Sequence, residues 1–200
     1  KKPQGNFVFS EFMSLMKILD RDYMGGTKSL LTHLFDNPSR LVRTVGVKDE
    51  KEYVVENPVI NIVAATTIDW FVESLKDRDI LSGFIPRFIF VPAMKQDQFF
   101  PRQKIADATI EADLVFMLKN MADLKGECIL TDEAGKLYDS LAVKFYEKHH
   151  MNGNLSSPFY PRMINYALKF AMLNSCINGH FPEIQEGDVA QSWETIRRLT

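Results

Sequence analysis

Apolar residues recur along this chain in two rhythms, and the change between them falls near residue 101. Phe7-Val8-Phe9 is a short β run. Directly behind it, Phe12, Leu15, Met16 and Leu19 take the three- and four-residue spacing of one helix face, which predicts a helix over 11–19. Tyr23-Met24-Gly25-Gly26 breaks the pattern. Leu30, Leu31 and Leu34 mark a second helix over 28–35, ended by Asn37-Pro38-Ser39. Two runs rich in branched residues, 41–47 and 52–55, flank the polar Lys48-Asp49-Glu50-Lys51 and read as a hairpin. Residues 59–65 are almost continuously apolar, the signature of a parallel strand covered on both faces. A helix over 68–76 follows with Trp70, Phe71 and Leu75 inward, and a strand over 88–91 closes the region.

Beyond residue 101 the helical rhythm takes over. Ile110, Leu114, Val115, Leu118 and Met121 make one amphipathic helix. Thr131-Asp132-Glu133 starts the next, with a hydroxyl cap and acids in the first turn, where the helix dipole favours them. Leu137, Leu141 and Phe145 continue it. Met163, Ile164, Ala167, Phe170, Ala171 and Met172 build the most apolar helix, and a last one carries Val189, Trp193 and Ile196. The expected fold class is α/β followed by all-α, over 1–100 and 101–200.

Composition narrows the partners more than the fold. With 46% apolar and 25% charged residues, the chain is an ordinary globular one with material for a real core. A net charge of −2 removes any global attraction to nucleic acid, so such contact must be local. No apolar run reaches the roughly 18 residues of a membrane span, so no membrane partner is expected. Cys128 and Cys176 lack metal-ligand spacing and read as buried free thiols, a cytoplasmic pattern, with a disulfide between them as the alternative. The chain opens at Lys1 and enters an apolar strand almost at once, so it reads as a piece of something longer.

Several residues stand where chemistry would need them. Glu11 lies just past the first strand, where a carboxylate can polarise a water; alternatively it only starts the helix. Thr66 and Thr67 end the buried strand, where a hydroxyl can sense a phosphate or cap the next helix. Arg87, between Pro86 and Phe88, is either a transferable cation for a phosphoryl group or the partner of an acid in its own chain. Arg162 opens a helix, where the dipole disfavours a cation; contact with a phosphate or a salt bridge would account for it. Lys48 and Lys51, with Arg43 nearby, give the hairpin a basic tip suited to a phosphate backbone, or simply to solvent. Gly25-Gly26-Thr27-Lys28-Ser29 imitates a phosphate-binding loop, but it lacks the required glycine spacing and follows a helix rather than a strand. His33, His149, His150 and His180 have no zinc-type spacing, so no metal site is expected in the chain.

This order of parts resembles the C-terminal portion of AAA+ P-loop ATPases of the helicase kind. The segments that carry the likeness are Leu34-Phe35-Asp36-Asn37 before the hairpin, the strand ending in Ala64-Ala65-Thr66, and Gly83 to Val91 with its Arg87-Phe88 pair. Replicative helicases and primase-helicases of phage and plasmids are similar, and minichromosome maintenance helicases share the succession. The resemblance implies a partial ATPase sheet followed by a helical lid. It implies Glu11 as the water-polarising glutamate, Arg87 as an arginine finger, and Thr66 or Thr67 with Arg162 as nucleotide sensors. It makes Lys48, Lys51 and Arg43 the DNA-contacting hairpin. It further implies ATP and Mg²⁺ as cofactors, a ring homo-oligomer, a hexamer, as the assembly, and DNA as partner. Ser10 stands where such ATPases carry an Mg²⁺-binding aspartate, and no phosphate-binding loop occurs in these 200 residues. The competing reading is a non-enzymatic, degenerate ATPase fold that acts in DNA binding or assembly. If the likeness holds, strands 7–9 and 59–65 are parallel neighbours, with Glu11, Thr67 and the start of strand 88–91 at one end of a common sheet.

Overall fold

The structure, a computed structural model, describes residues 4–45, 51–93, 107–150 and 155–200. The chain is mixed α/β with small sheets and is mostly helical toward its C-terminus. It divides into two compact units, Lys1–Phe88 and Ile89–Thr200.

In the first unit, β1 (Gln4–Phe9) runs parallel to β4 (Val59–Ala64), in register from Gln4 opposite Val59 to Phe9 opposite Ala64. Asn6 and Asn61 face each other in that register, and Asn61 Nδ2 donates to Asn6 Oδ1 at 2.9 Å. Between these strands lie α1 (Phe12–Leu19), α2 (Thr27–Phe35) and the antiparallel hairpin of β2 (Arg40–Val45) and β3 (Lys51–Glu56). Asn57, in a left-handed conformation, closes the hairpin base by donating its amide to Ser39 O at 2.8 Å. After β4 come α3 (Ile68–Ser74) and α4 (Asp77–Leu81).

The core of this unit belongs to α1, on which Phe12, Met13, Leu15, Met16 and Leu19 are all buried. Leu34, Ile80, Phe84 and Ile85 complete it, with Ile85 wholly enclosed. Burying one such side chain stabilises by about 1.5–3 kcal/mol. The expected strand over 88–91 is absent. Ile85–Arg87 instead form a 3-10 turn, in which Arg87 N donates to Phe84 O and Phe88 N to Ile85 O. Pro86 fixes that curl and has no amide to give a sheet. Phe88 then turns into an aromatic cluster, edge-on to both Phe12 and Phe84 at 5.2 Å.

The second unit contains α5 (Ala108–Asp123), α6 (Asp132–His150), α7 (Tyr160–Asn178) and α8 (Glu186–Leu199). A two-residue parallel pair, β5 (Ile129–Leu130) and β6 (Glu183–Ile184), adds a small sheet. Thr131 caps α6 as its sequence predicts, accepting from Ala134 N at 3.3 Å. Ala134, Ala167, Ala171, Val189 and Ile196 have no exposed surface. Their small or compact side chains let α6, α7 and α8 approach closely. Trp193 fills the remaining space against Tyr138 and Phe145. Asp188, also wholly buried, is fully engaged: it accepts from Asn178 Nδ2 at 2.7 Å and Gln185 N at 3.0 Å, and meets His180 Nδ1 at 2.9 Å. Burial pushes its carboxyl up, but the Gln185, His180 and Asn178 contacts outweigh that and hold it below its ordinary value. Helix α5 differs, since none of its side chains is buried. Among the described residues no helix is long and apolar enough to cross a membrane.

Candidate functional site

The parallel pairing of β1 and β4 brings two sequence-predicted positions to one place. Both strands end together, Phe9 opposite Ala64, and the chain is then stitched across: Ala65 N donates to Phe9 O at 3.3 Å, and Phe12 N to Ala65 O at 2.7 Å. Glu11 is therefore one residue from a bond to Ala65, and Thr66 is the residue after it. Glu11 sits in extended backbone at the N-cap of α1, yet its side chain makes no cap bond. Its Oε2 is buried and has no hydrogen-bond partner among the described residues. A buried acceptor left in that state costs about 1–3 kcal/mol, which a ligand, water or proton donor would relieve.

The two threonines beside it are exposed and loosely held. Thr67 Oγ1 accepts from Trp70 N at 3.4 Å as the cap of α3, and Thr66 Oγ1 donates to Thr67 O at the same distance. Bonds this long are weak, so either hydroxyl can be redirected at little cost. Ser10, also exposed, adds a third hydroxyl.

Arg87 does not join this group through a strand, because no strand forms there. Its Nη1 donates to Gly83 O at 2.6 Å, its Nη2 reaches Asp36 Oδ2 at 3.4 Å, and the guanidinium lies over the Phe35 ring. Only 10% of the side chain is exposed. Gly83 makes the fold-back possible twice over. Its φ of +78° suits glycine, and a Cβ there would stand 2.9 Å from Arg87 Nη1. Two segments far apart in sequence, Leu34-Phe35-Asp36-Asn37 and Gly83 to Phe88, are thus parts of one clamp.

The remaining positions lie elsewhere. Arg43 is exposed on β2, opposite Tyr53. Lys51 begins β3, paired with Val45, and Lys48 lies outside the described residues. Arg162 occupies the first turn of α7 in the second unit and is half-buried.

A further polar centre has no local signal in the sequence. Lys28 bridges Asp20 at 2.6 Å and the nearly buried Asp79 at 2.8 Å, while Lys76 and Arg78 also reach Asp20. Hydrogen bonds from Lys28 and Lys76 hold the Asp20 carboxyl down at about 2. Burial works against the charge of Lys28, but its bonds to Asp20 and Asp79 prevail and raise it. The glycine turn that imitates a phosphate-binding loop is thereby explained. Gly26, at φ +83°, starts α2 so that Lys28 points to these acids, which already neutralise it. Adjacent to this cluster is an open cleft of about 330 Å³, whose charged lining is evenly divided between Asp20, Asp22 and Asp79 and Arg21, Lys28 and Arg78.

Among the described residues no three His, Cys, Asp or Glu side chains converge as a metal centre. No protein-family model matches the chain, and no curated protein matches it either.

Proposed function

We propose that the chain is part of a nucleic-acid-dependent ATPase of the helicase or primase-helicase kind, with Glu11 at the edge of its nucleotide site. The observation that carries this reading is the junction of β1 and β4. Ligands of open α/β sheets bind beyond the carboxyl ends of parallel strands. At that end this chain offers a carboxylate with a buried, partnerless oxygen, flanked by redirectable hydroxyls.

In this reading Glu11 accepts a proton from the attacking water and orients it. Thr67, or Thr66 if Thr67 stays a cap, donates a hydrogen bond to the terminal phosphate. Mg²⁺ brought with the nucleotide would neutralise phosphate charge, and it needs only one or two protein carboxylates. Glu11 is the one available here, with the Ser10 hydroxyl beside it; the fit is partial. The β- and γ-phosphates need the backbone amides and lysine of a phosphate-binding loop, which must come from outside these 200 residues. The basic hairpin with Arg43, Lys48 and Lys51 would track DNA phosphates, and Arg162 would meet the nucleotide from a helical lid. Assembly into a ring would multiply hairpin contacts too weak to hold DNA singly.

The test is ATP turnover by the natural gene product with single-stranded DNA present. Glu11→Gln should lower turnover by roughly 10²–10⁴-fold and leave nucleotide binding within a few-fold. Wild-type turnover in Glu11→Gln contradicts the assignment. The 200-residue chain alone should not hydrolyse ATP.

Arg87 favours a second reading, a degenerate ATPase fold that serves as scaffold, because its guanidinium is engaged by Asp36 and Gly83 of its own chain. An arginine finger would have to leave Asp36 to act in a neighbouring subunit. Arg87→Ala separates the two. Loss of turnover by about 10³-fold or more with unchanged stability supports the finger. Lost stability with turnover retained per folded molecule supports the clamp.

A further inference from the structure

The two cysteines are remote in sequence, and the second unit draws them together. Cys128 immediately precedes β5, whose Ile129 amide donates to Pro182 O at 2.9 Å and whose register sets Ile129 opposite Glu183. Helix α7 grips the same point, since the buried Ser175 donates its hydroxyl to Glu183 O at 2.6 Å. Cys176 is the next residue on that helix. The two free cysteines thus stand on adjoining segments, close enough for Cys128 to act on the Cys176 thiol, and each keeps partial exposure rather than the full burial its sequence suggests. His180, the nearest histidine in sequence to Cys176, is engaged by Asp188, and among the described residues no metal-type cluster forms around the pair.

We propose that Cys128 and Cys176 form a reversible redox pair, which closes to an intramolecular disulfide by exchange with a low-molecular-weight disulfide such as oxidised glutathione. The proposal is independent of the ATPase reading. The step balances as two successive exchanges. One cysteine thiol loses its proton and attacks a sulfur of the small disulfide, breaking that S–S bond and releasing one small thiolate, which takes up the proton. The other cysteine, deprotonated in turn, attacks the protein-bound sulfur of the mixed disulfide and releases the second small thiol. Two cysteines are oxidised and one small disulfide is reduced to two thiols. Burial, with the neighbouring Cys128 and Asp188, raises the Cys176 thiol and keeps it protonated. Because β5 and the end of α7 are both tied to Glu183, closing to an S–S distance of roughly 2.05 Å joins segments that already adjoin. The bond would staple the β5–β6 pair to α7, the helix that carries Arg162.

The test uses the chain itself with oxidised glutathione, followed by alkylation and mass analysis. The expected product has lost two hydrogens, carries neither glutathione nor alkyl groups at these cysteines, and yields a linked peptide pair containing Cys128 and Cys176. Its unfolding midpoint should rise by roughly 5–10 °C and return to the reduced value with dithiothreitol. Cys176→Ser should instead trap a glutathione adduct on Cys128 with no such rise. Stable glutathione adducts on the wild-type chain, disulfide-linked dimers, or two cysteines that remain free to alkylate would each overturn the proposal. The wild-type peptide map decides it even if the variant fails to fold.

Discussion

Around α6, α7 and α8 the apolar side chains that point inward are covered by the same unit, and the buried Ser175, Asp188 and Ser192 all find partners there. The first unit is equally well sealed around α1, but its sheet is not. Phe7, Val8, Val59 and Val63 on β1 and β4 are exposed, and among the described residues this parallel sheet has only two strands. A parallel sheet is stable when both faces are covered, and two strands alone are marginal. The contrast separates a helical core closed within its own unit, beside an α5 whose apolar face is exposed, from a sheet whose faces are open.

The largest effects that would break this contrast are in the bundle. Trp193→Ala should cost about 3–5 kcal/mol in urea unfolding followed by circular dichroism, because the 4%-exposed ring leaves a cavity against Tyr138 and Phe145. A cost below about 1 kcal/mol would mean the bundle is not closed as described. In the first unit, Lys28→Met should cost about 3 kcal/mol, since it leaves Asp79 charged, 4% exposed and unpaired. Adding Asp79→Leu should recover much of that loss, and failure to recover would remove the buried charge as the cause.

A smaller effect is the acid limb of stability. Asp20 has its carboxyl lowered from 3.8 to about 2, so folding binds fewer protons there than the unfolded chain does. Asp20 lies at the surface, so solvent screening reduces its contribution to about 1 kcal/mol; it is fully present above about pH 5 and is lost as pH falls toward 2. Unfolding measured between pH 5 and 2 should show this loss, and Lys28→Met should flatten it. The smallest effect is expected on the open sheet: Val63→Ser, at a side chain 64% exposed, should change stability by less than about 0.5 kcal/mol. A large cost there would mean the sheet face is covered after all.

Legibility in the sequence follows the range of the interactions. Helices α1, α6, α7 and α8 show in their spacing because burial repeats every turn. The parallel partnership of β1 and β4 shows in the nearly continuous apolar run of the second strand, but the cover on both faces which that run also suggests is absent, since Val59 and Val63 are exposed. Residues 88–91 mislead because a short apolar run looks alike in a strand and in a chain that only anchors an aromatic cluster. Pro86 and the positive-φ Gly83 are the local signals against a strand. The partners of Arg87 and Lys28 are not legible, since Asp36 and Asp79 are each brought in from 51 positions away by the fold. The β5–β6 pair, two residues a side, is too short to leave any periodic trace. At the candidate site, the positions of Glu11 and Thr66 could be read from strand ends, but the partnerless Oε2 of Glu11 could not.

The most direct measurement is a structure of the natural gene product bound to a non-hydrolysable ATP analogue and Mg²⁺. The account predicts the terminal phosphate beyond the carboxyl ends of β1 and β4, with a water between it and the Glu11 carboxylate and a hydroxyl of Thr66 or Thr67 within hydrogen-bond distance. A nucleotide bound elsewhere, such as in the cleft beside Asp20 and Lys28, or Glu11 turned away from the phosphates, would contradict it.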